Sequence, residues 1–151
     1  MPNSAYLHLM LNHFPEIGAG ALLIFFLYAV SSKNDKMIKF TLILILLLSL
    51  LTIAVFITGN NAEGSVKGLE GAIEENIEPH QDFATKSFFV MELIGAVAFG
   101  GLIFFRAPKF IPRWFTILII TLMVVVNGMM LYTAHLGGKI FHQEIIQGQK
   151  K

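Results

Sequence analysis

Histidine is the residue type in this sequence best suited to binding a haem or a metal ion. The chain has 151 residues and no cysteine, so disulfides, iron–sulfur clusters, thiolate metal sites and a covalently attached c-type haem are all excluded. Imidazole nitrogens are common ligands of haem iron, zinc and copper. Five side chains can supply them: His8, His13, His80, His135 and His142. The elements that position these imidazoles decide which ligand the chain can hold.

The composition is that of an integral membrane protein. Apolar residues make up 55% of the chain, the mean hydropathy is +0.68, and 14% of residues are charged, against about 25% in soluble domains. Four apolar stretches have about the 20 residues that a helix needs to cross a bilayer: 6–30, 38–58, 83–105 and 115–136. The first lacks the basic segment and cleavage site of a signal peptide, which favours a retained span. We predict an all-α fold, an integral membrane four-helix bundle forming one domain over 1–151.

The charges of the connecting segments predict the orientation of this bundle. Both short loops are basic, with a single acid, Asp35. Their cations are Lys33, Lys36, Lys39, Arg106, Lys109 and Arg113. Because short basic loops stay on the cytoplasmic side, the N- and C-termini and the long loop 59–82 are expected on the outer side. The sequence therefore predicts a multi-pass protein of the bacterial cytoplasmic (inner) membrane, with the histidine cluster on the periplasmic side.

The long loop is acidic and carries an amphipathic pattern. Its acids outnumber its one lysine, Lys67; they are Glu63, Glu70, Glu74, Glu75, Glu78 and Asp82. Apolar residues recur on one helical face: Val66, Leu69, Ile73 and Ile77. This spacing predicts a short amphipathic helix at the membrane surface, ended by Pro79.

The predicted topology gathers the histidines at the outer end of the bundle. Bis-histidine ligation of a haem needs two imidazoles on facing helices at matched depth, a condition that His13, His80 and His135 meet on three separate helices. His8 and His13 lie about 140° apart around one helix, so they would serve different irons. His142 follows the fourth span on the same side. The set predicts one or two haems b, and a zinc or copper site with three or more imidazoles is also chemically sound.

Two carboxyl groups fall inside the predicted spans, where an ionisable side chain is costly unless it is paired or functional. Glu16 follows His13 on nearly the same helical face, and Glu92 lies in the middle of the third span. Each could exchange protons coupled to a redox change, or orient a ligand histidine through a hydrogen bond. An interhelical contact is the structural alternative for Glu92. Glycines in the first and third spans predict close helix packing: Gly18, Gly20, Gly95, Gly100 and Gly101.

Three short motifs resemble those of a bacterial four-helix membrane domain family. The segment HLMLNHFP, from His8 to Pro15, is similar to the H-P-x-x-x-H-F-P opening of that family, but Leu9 stands where the family has proline. A histidine also begins the third helix, in PHQDFA, and the tail TAHLGGKIFH is similar to the family's double-glycine and histidine close. Members are suspected to be haem b-binding membrane cytochromes. The resemblance implies as candidate haem ligands His8, His13, His80, His135 and His142.

These observations favour a b-type membrane cytochrome that carries haem near its outer face. It would transfer electrons between an outer partner such as a periplasmic cytochrome c and a membrane partner, either quinone or a larger respiratory complex. This is an electron-transfer protein or redox subunit rather than a stand-alone enzyme. Two alternatives stay open: a cofactor-free accessory subunit of a larger membrane complex, and a copper- or zinc-binding membrane protein. The chain has no phosphate-binding loop, no hydrolase or zinc-protease motif and no basic patch suited to nucleic acid, and lipid is its expected surrounding.

Overall fold

The computed structural model describes residues 4–67, 71–106 and 108–141. Its helices, in chain order, are α1 (Ser4–Leu11), α2 (His13–Ser31), α3 (Asp35–Val66), a 3-10 turn (Glu74–Asn76), α4 (Ile77–Phe104) and α5 (Arg113–Phe141). Four segments are long and apolar enough to cross a membrane: Ser4–Ser31, Asp35–Val66, Glu74–Phe104 and Arg113–Ile140. The described ranges contain no strand. The predicted all-α membrane bundle of four helices is confirmed, and it is consistent with a multi-pass membrane protein.

The four long helices pack as a ring. Helix α2 packs against α3 and α5, and α4 packs against the same two neighbours. The side chains that fill the centre are fully buried; the largest are Phe26, Leu42, Ile45, Met91, Ile94, Ile119 and Met123. Many large apolar side chains face outward instead, as expected of a surface in contact with lipid. Because lipid tails are as apolar as these side chains, close packing rather than burial holds such helices together.

Three of the five glycines predicted to pack closely do so. A Cβ added at Gly95 on α4 would lie 2.6 Å from the Cβ of Ser49 on α3, which cannot move without its helix, so this position needs glycine if the two helices are to keep their present separation. At Gly18 and Gly101 an added Cβ would meet the outer atoms of the Leu48 and Phe115 side chains, which would have to shift. The other two, Gly20 and Gly100, leave an added Cβ 3.4 Å from Oδ1 of Asn127 and in open space, respectively.

The first span is broken near its start. Pro15 has no backbone N–H to bond to the Leu11 carbonyl, and its ring crowds that carbonyl, so the helix is interrupted between α1 and α2. The Asn12 N–H still donates to the His8 carbonyl at 2.8 Å, which closes the last turn of α1. Helix α1 then packs mainly against α3 rather than against its own continuation, α2. This break decides where His8 lies.

The segment between α3 and α4 differs from the predicted surface helix. Helix α3 continues past the expected end at 58 to Val66, and α4 begins at Ile77, whose side chain is buried. Leu69, one of the four residues of the predicted apolar face, lies outside the described residues. Pro79 stands in the first turn of α4 instead of ending a helix, because that turn needs no donor from it. The Ile73 N–H donates to the Ile140 carbonyl at 2.8 Å, which ties this segment to α5.

The opposite end of the bundle is closed by polar contacts between the two short loops. Asp35 accepts a hydrogen bond from the Ile111 N–H at 2.9 Å and pairs with Lys39 at 2.6 Å. The Lys39 ammonium also donates to the Lys109 carbonyl at 2.8 Å. These bonds fix the start of α3 against the segment that precedes α5.

The glycine contacts yield a stability prediction. Gly95→Ala would press a methyl group into Ser49, and overpacking of this kind costs about 1–3 kcal/mol. Gly128→Ala is the matched control, because it makes the same change in helix propensity and has no neighbouring atom within 4 Å. In thermal unfolding in detergent, the midpoint temperature of Gly95→Ala should be lower than that of Gly128→Ala. Equal midpoints for the two variants would contradict the packing described.

Candidate functional site

His8 is held in a defined orientation by α3. Its Nδ1 lies 3.1 Å from the Val55 carbonyl oxygen. A carbonyl only accepts hydrogen bonds, so Nδ1 donates, and in the neutral imidazole Nε2 keeps its lone pair. The ring edge lies over Gly59, where an added Cβ would be 2.9 Å from Cε1 of His8. The absence of a side chain at Gly59 therefore lets the imidazole reach the carbonyl one turn earlier.

His80 is held by the same arrangement on a different pair of helices. It lies in the first turn of α4, and its Nδ1 donates to the Thr133 carbonyl of α5 at 3.0 Å. Its ring lies over Gly137, where an added Cβ would be 3.0 Å from Cε1 of His80. In both cases the accepting carbonyl belongs to residue i and the glycine to residue i+4. The same unit thus leaves Nε2 as the available nitrogen of each imidazole.

The two imidazoles share one end of the bundle, which we call the histidine end. Their acceptors, Val55 and Thr133, lie in the second halves of α3 and α5, which both run toward this end of the bundle. His8 and His80 are close enough to interact electrostatically. Both rings are half-buried. The structure therefore joins two histidines of separate helices, each with one ring nitrogen already bonded to the backbone.

The other histidines of the predicted set lie elsewhere. The side chain of His13 is 68% exposed, with Nδ1 3.6 Å from the Glu16 carboxylate. His135 is also exposed, beside the ring of Tyr132 at a centroid distance of 6.3 Å. His142 lies outside the described residues. Of the three imidazoles expected on facing helices, His80 alone points inward, and its inward neighbour is His8.

Glu92 lies on the face of α4 that packs against α3. Phe88, one turn before it, stacks on Phe56 of α3 at 4.2 Å, and Gly95, one turn after it, meets Ser49. Oε1 of Glu92 is buried and has no hydrogen-bond partner among the described residues. No ion pair joins Glu92 to another side chain of these ranges. Both roles predicted for Glu92, proton exchange and an interhelical contact, stay predictions.

A second buried acceptor without a partner lies beside the histidine end. Oδ1 of Asn12 is buried and unbonded among the described residues, and Asn12 follows His8 by one helical turn. Buried polar atoms are normally hydrogen-bonded, so an orphaned acceptor next to His8 marks a place where a hydrogen-bond donor would be stabilised. Neither Asn12 nor Gly59 stands out in the sequence. The i, i+4 relation between the glycines and the accepting carbonyls emerges only once the helices are packed.

The donor set favours a cofactor that needs two imidazoles. No cluster of three or more His, Asp or Glu side chains able to hold a metal ion occurs within 4–67, 71–106 and 108–141. A three-imidazole zinc or copper site thus has no support in these ranges. Haem iron takes one or two axial imidazoles, and His8 and His80 are the two imidazoles at this end that could provide them.

Comparison of the sequence with protein-family models and with curated proteins finds no match, and neither does comparison with solved structures. The resemblance of the three histidine motifs to a four-helix membrane family stays a prediction. The function proposed for this chain therefore rests on the geometry of the histidine end.

Proposed function

We propose that this protein is a b-type membrane cytochrome whose haem is held by His8 and His80. One observation carries the proposal: two half-buried imidazoles at one end of the bundle each donate Nδ1–H to a backbone carbonyl, which leaves both Nε2 atoms for iron. A hydrogen bond at the second ring nitrogen fixes the orientation of a ligand imidazole and raises its basicity. When bound, haem b supplies reversible one-electron exchange between ferric and ferrous iron.

The donor atoms of the pair fit such a group. Gly59 and Gly137 leave the space that the two ring edges occupy, so each imidazole reaches its carbonyl and keeps Nε2 unbonded. Without cysteine, covalent attachment is excluded, so the haem would be of b type. His13 and His135, which are exposed, would become ligands only where a second haem or a partner subunit covers them.

The orientation that we propose for the protein in the membrane follows from the charges of the loops. The basic end would face the cytoplasm by the positive-inside rule, which puts the histidine end on the periplasmic side of a bacterial cytoplasmic membrane. A haem there would exchange electrons with a periplasmic cytochrome c and with a membrane partner, quinone or a respiratory complex. Glu16 and Glu92 are the carboxyl groups available for proton exchange or for orienting a ligand.

A cofactor-free accessory subunit is the second candidate. His8 and His80 each join two helices, α1 to α3 and α4 to α5, so the same bonds would also serve as purely structural ties. In that case both rings would stabilise the bundle and Nε2 would bind nothing. The colour of the purified protein distinguishes the two functions, because only the cytochrome absorbs visible light.

Absorption spectra test the haem proposal directly. The detergent-purified protein from haem-replete cells should show a sharp α-band after dithionite reduction and one or two haems per chain by pyridine haemochrome. His8→Ala and His80→Ala should each lose the low-spin spectrum, whereas His13→Ala and His135→Ala keep it. Circular dichroism confirms that each variant is folded. A colourless wild-type protein would overturn the proposal and leave the accessory subunit.

The glycines beneath the imidazoles allow a test that leaves the ligands intact. Gly59→Ala and Gly137→Ala should displace the rings from their carbonyl partners and lower haem affinity by about 10- to 100-fold, the range for groups that orient metal ligands. Gly64→Ala is the control, because its added Cβ would meet no atom within 4 Å. Haem transfer to apomyoglobin measures the affinities. Three variants that retain haem equally would show that these contacts do not orient ligands.

The acidic segment near His80 generates a prediction about the soluble partner. Glu74, Glu75 and Glu78 are exposed, while Lys67 is paired with Glu63 at 2.6 Å, a hydrogen bond that raises the pKa of Lys67 and neutralises the loop's one lysine. Replacing the three glutamates by lysine should slow reduction by a basic cytochrome c and flatten its ionic-strength dependence. Stopped-flow kinetics measure both effects, with the three-glutamine variant as an intermediate case. Unchanged kinetics at every ionic strength would exclude docking there.

A further inference from the structure

The basic end of the bundle carries cations without matching acids. Its six cations are Lys33, Lys36, Lys39, Arg106, Lys109 and Arg113, and its one carboxylate is Asp35. Asp35 is already engaged by Lys39 and by the Ile111 N–H. The other five cations form no ion pair with a carboxylate of the described residues. A concentrated positive charge at the end of a membrane bundle attracts a negatively charged group.

An open cavity of about 600 Å³, which we call the lysine cavity, lies between the two basic loops. Four lysines line it: Lys33, Lys36, Lys39 and Lys109. Asn34 adds an amide at the start of α3, whereas the Ser32 hydroxyl already donates to the Ala29 carbonyl. Ammonium and amide N–H groups are donors that bind phosphate oxygens.

An apolar groove of about 520 Å³ runs between α4 and α5 next to this cavity. Gly100, Phe104, Trp114 and Leu118 are among the residues that line it. A Cβ added at Gly100 would meet no atom within 4 Å, so this part of the groove is open. Such a surface fits a flexible hydrocarbon chain.

Lys109 lines both the lysine cavity and the apolar groove. Its backbone is fixed, because its carbonyl accepts the hydrogen bond from Lys39. The two cavities therefore meet at one anchored lysine, with cationic donors on one side and hydrocarbon and aromatic surface on the other. A ligand that fills both must be anionic at one end and apolar at the other.

We propose that this surface binds an anionic phospholipid, with its phosphate among the lysines of the lysine cavity and an acyl chain in the groove. A membrane supplies such molecules at the depth where the spans end, and basic residues there attract them. A soluble phosphate compound would leave the groove empty. The binding is independent of haem, so it stands or falls separately from the proposed redox function.

Trp114 provides the measurement, because it lines the groove and is the one tryptophan of the chain. The protein as purified, with any haem it carries, is reconstituted with phosphatidylglycerol or phosphatidylcholine brominated on the acyl chains. Bromine quenches tryptophan fluorescence on contact. The Trp114 fluorescence in each brominated lipid is divided by the fluorescence in the unbrominated lipid with the same headgroup. This ratio cancels any constant quenching by haem.

Brominated phosphatidylglycerol should bind beside Trp114 about five times more strongly than brominated phosphatidylcholine, the factor for one cation near an anionic headgroup. Lys109→Gln should reduce this preference, because three lysines of the cavity remain, and 0.5 M salt should weaken it. Lys139→Gln, at the other end of α5, should leave it unchanged. Equal quenching by the two headgroups in the wild type overturns the proposal, as does a preference of the wild-type size in Lys109→Gln.

The contribution of the groove is tested separately. Gly100→Leu fills the open part of the groove without changing any charge. It should remove the preference for phosphatidylglycerol, and circular dichroism verifies that the variant is folded. A preference that persists in Gly100→Leu would mean that the charges act alone, without a seated lipid chain. Millimolar glycerol phosphate should leave the wild-type signal unchanged. If it abolishes the preference, the surface is a site for soluble anions and the lipid assignment is wrong.

Discussion

The hydrogen bond from an imidazole to a helix carbonyl is the interaction on which the histidine end depends. Inside a bilayer, water is absent and polar groups must find partners within the protein. His8 and His80 each solve this by donating Nδ1–H to a carbonyl of a neighbouring helix. In membranes such side-chain bonds contribute about 0.6 kcal/mol on average. Their stabilising effect is thus modest, and their main effect is to fix the direction and tautomer of each ring.

The helices were predictable from sequence, and the pairing of the histidines was not. Hydropathy identifies a span because backbone polar groups in lipid must be hydrogen-bonded within the segment. A long apolar run therefore forms a helix. Depth follows from position along the span, so the shared end of His8 and His80 could be anticipated. Which side chains face one another depends on the rotation of each helix about its axis. The break at Pro15 alters that rotation for α1, so the angle of about 140° between His8 and His13, which assumes one unbroken helix, could not show which of them faces His80.

The structure of the segment after α3 also could not be predicted from the spacing of its apolar residues. Helical spacing over Val66, Ile73 and Ile77 predicted a separate surface helix, but these residues belong to three different pieces of structure: the end of α3, the residue before a 3-10 turn, and the start of α4. The Ile73 N–H is bonded to α5, and Ile77 is buried against the bundle. Apolar residues in a connection have more than one way to be covered. Periodicity cannot choose among them until the neighbouring helices are in place.

The two histidines are tied to the bundle through different pairs of helices. His80 joins α4 to α5, whereas His8 joins α1 to α3. Helix α1 is separated from the rest of its span by the break at Pro15, and it contacts mainly α3. The position of His8 therefore depends on the contact between α1 and α3, and the position of His80 does not. A substitution that weakens this contact would displace one imidazole of the pair and leave the other in place.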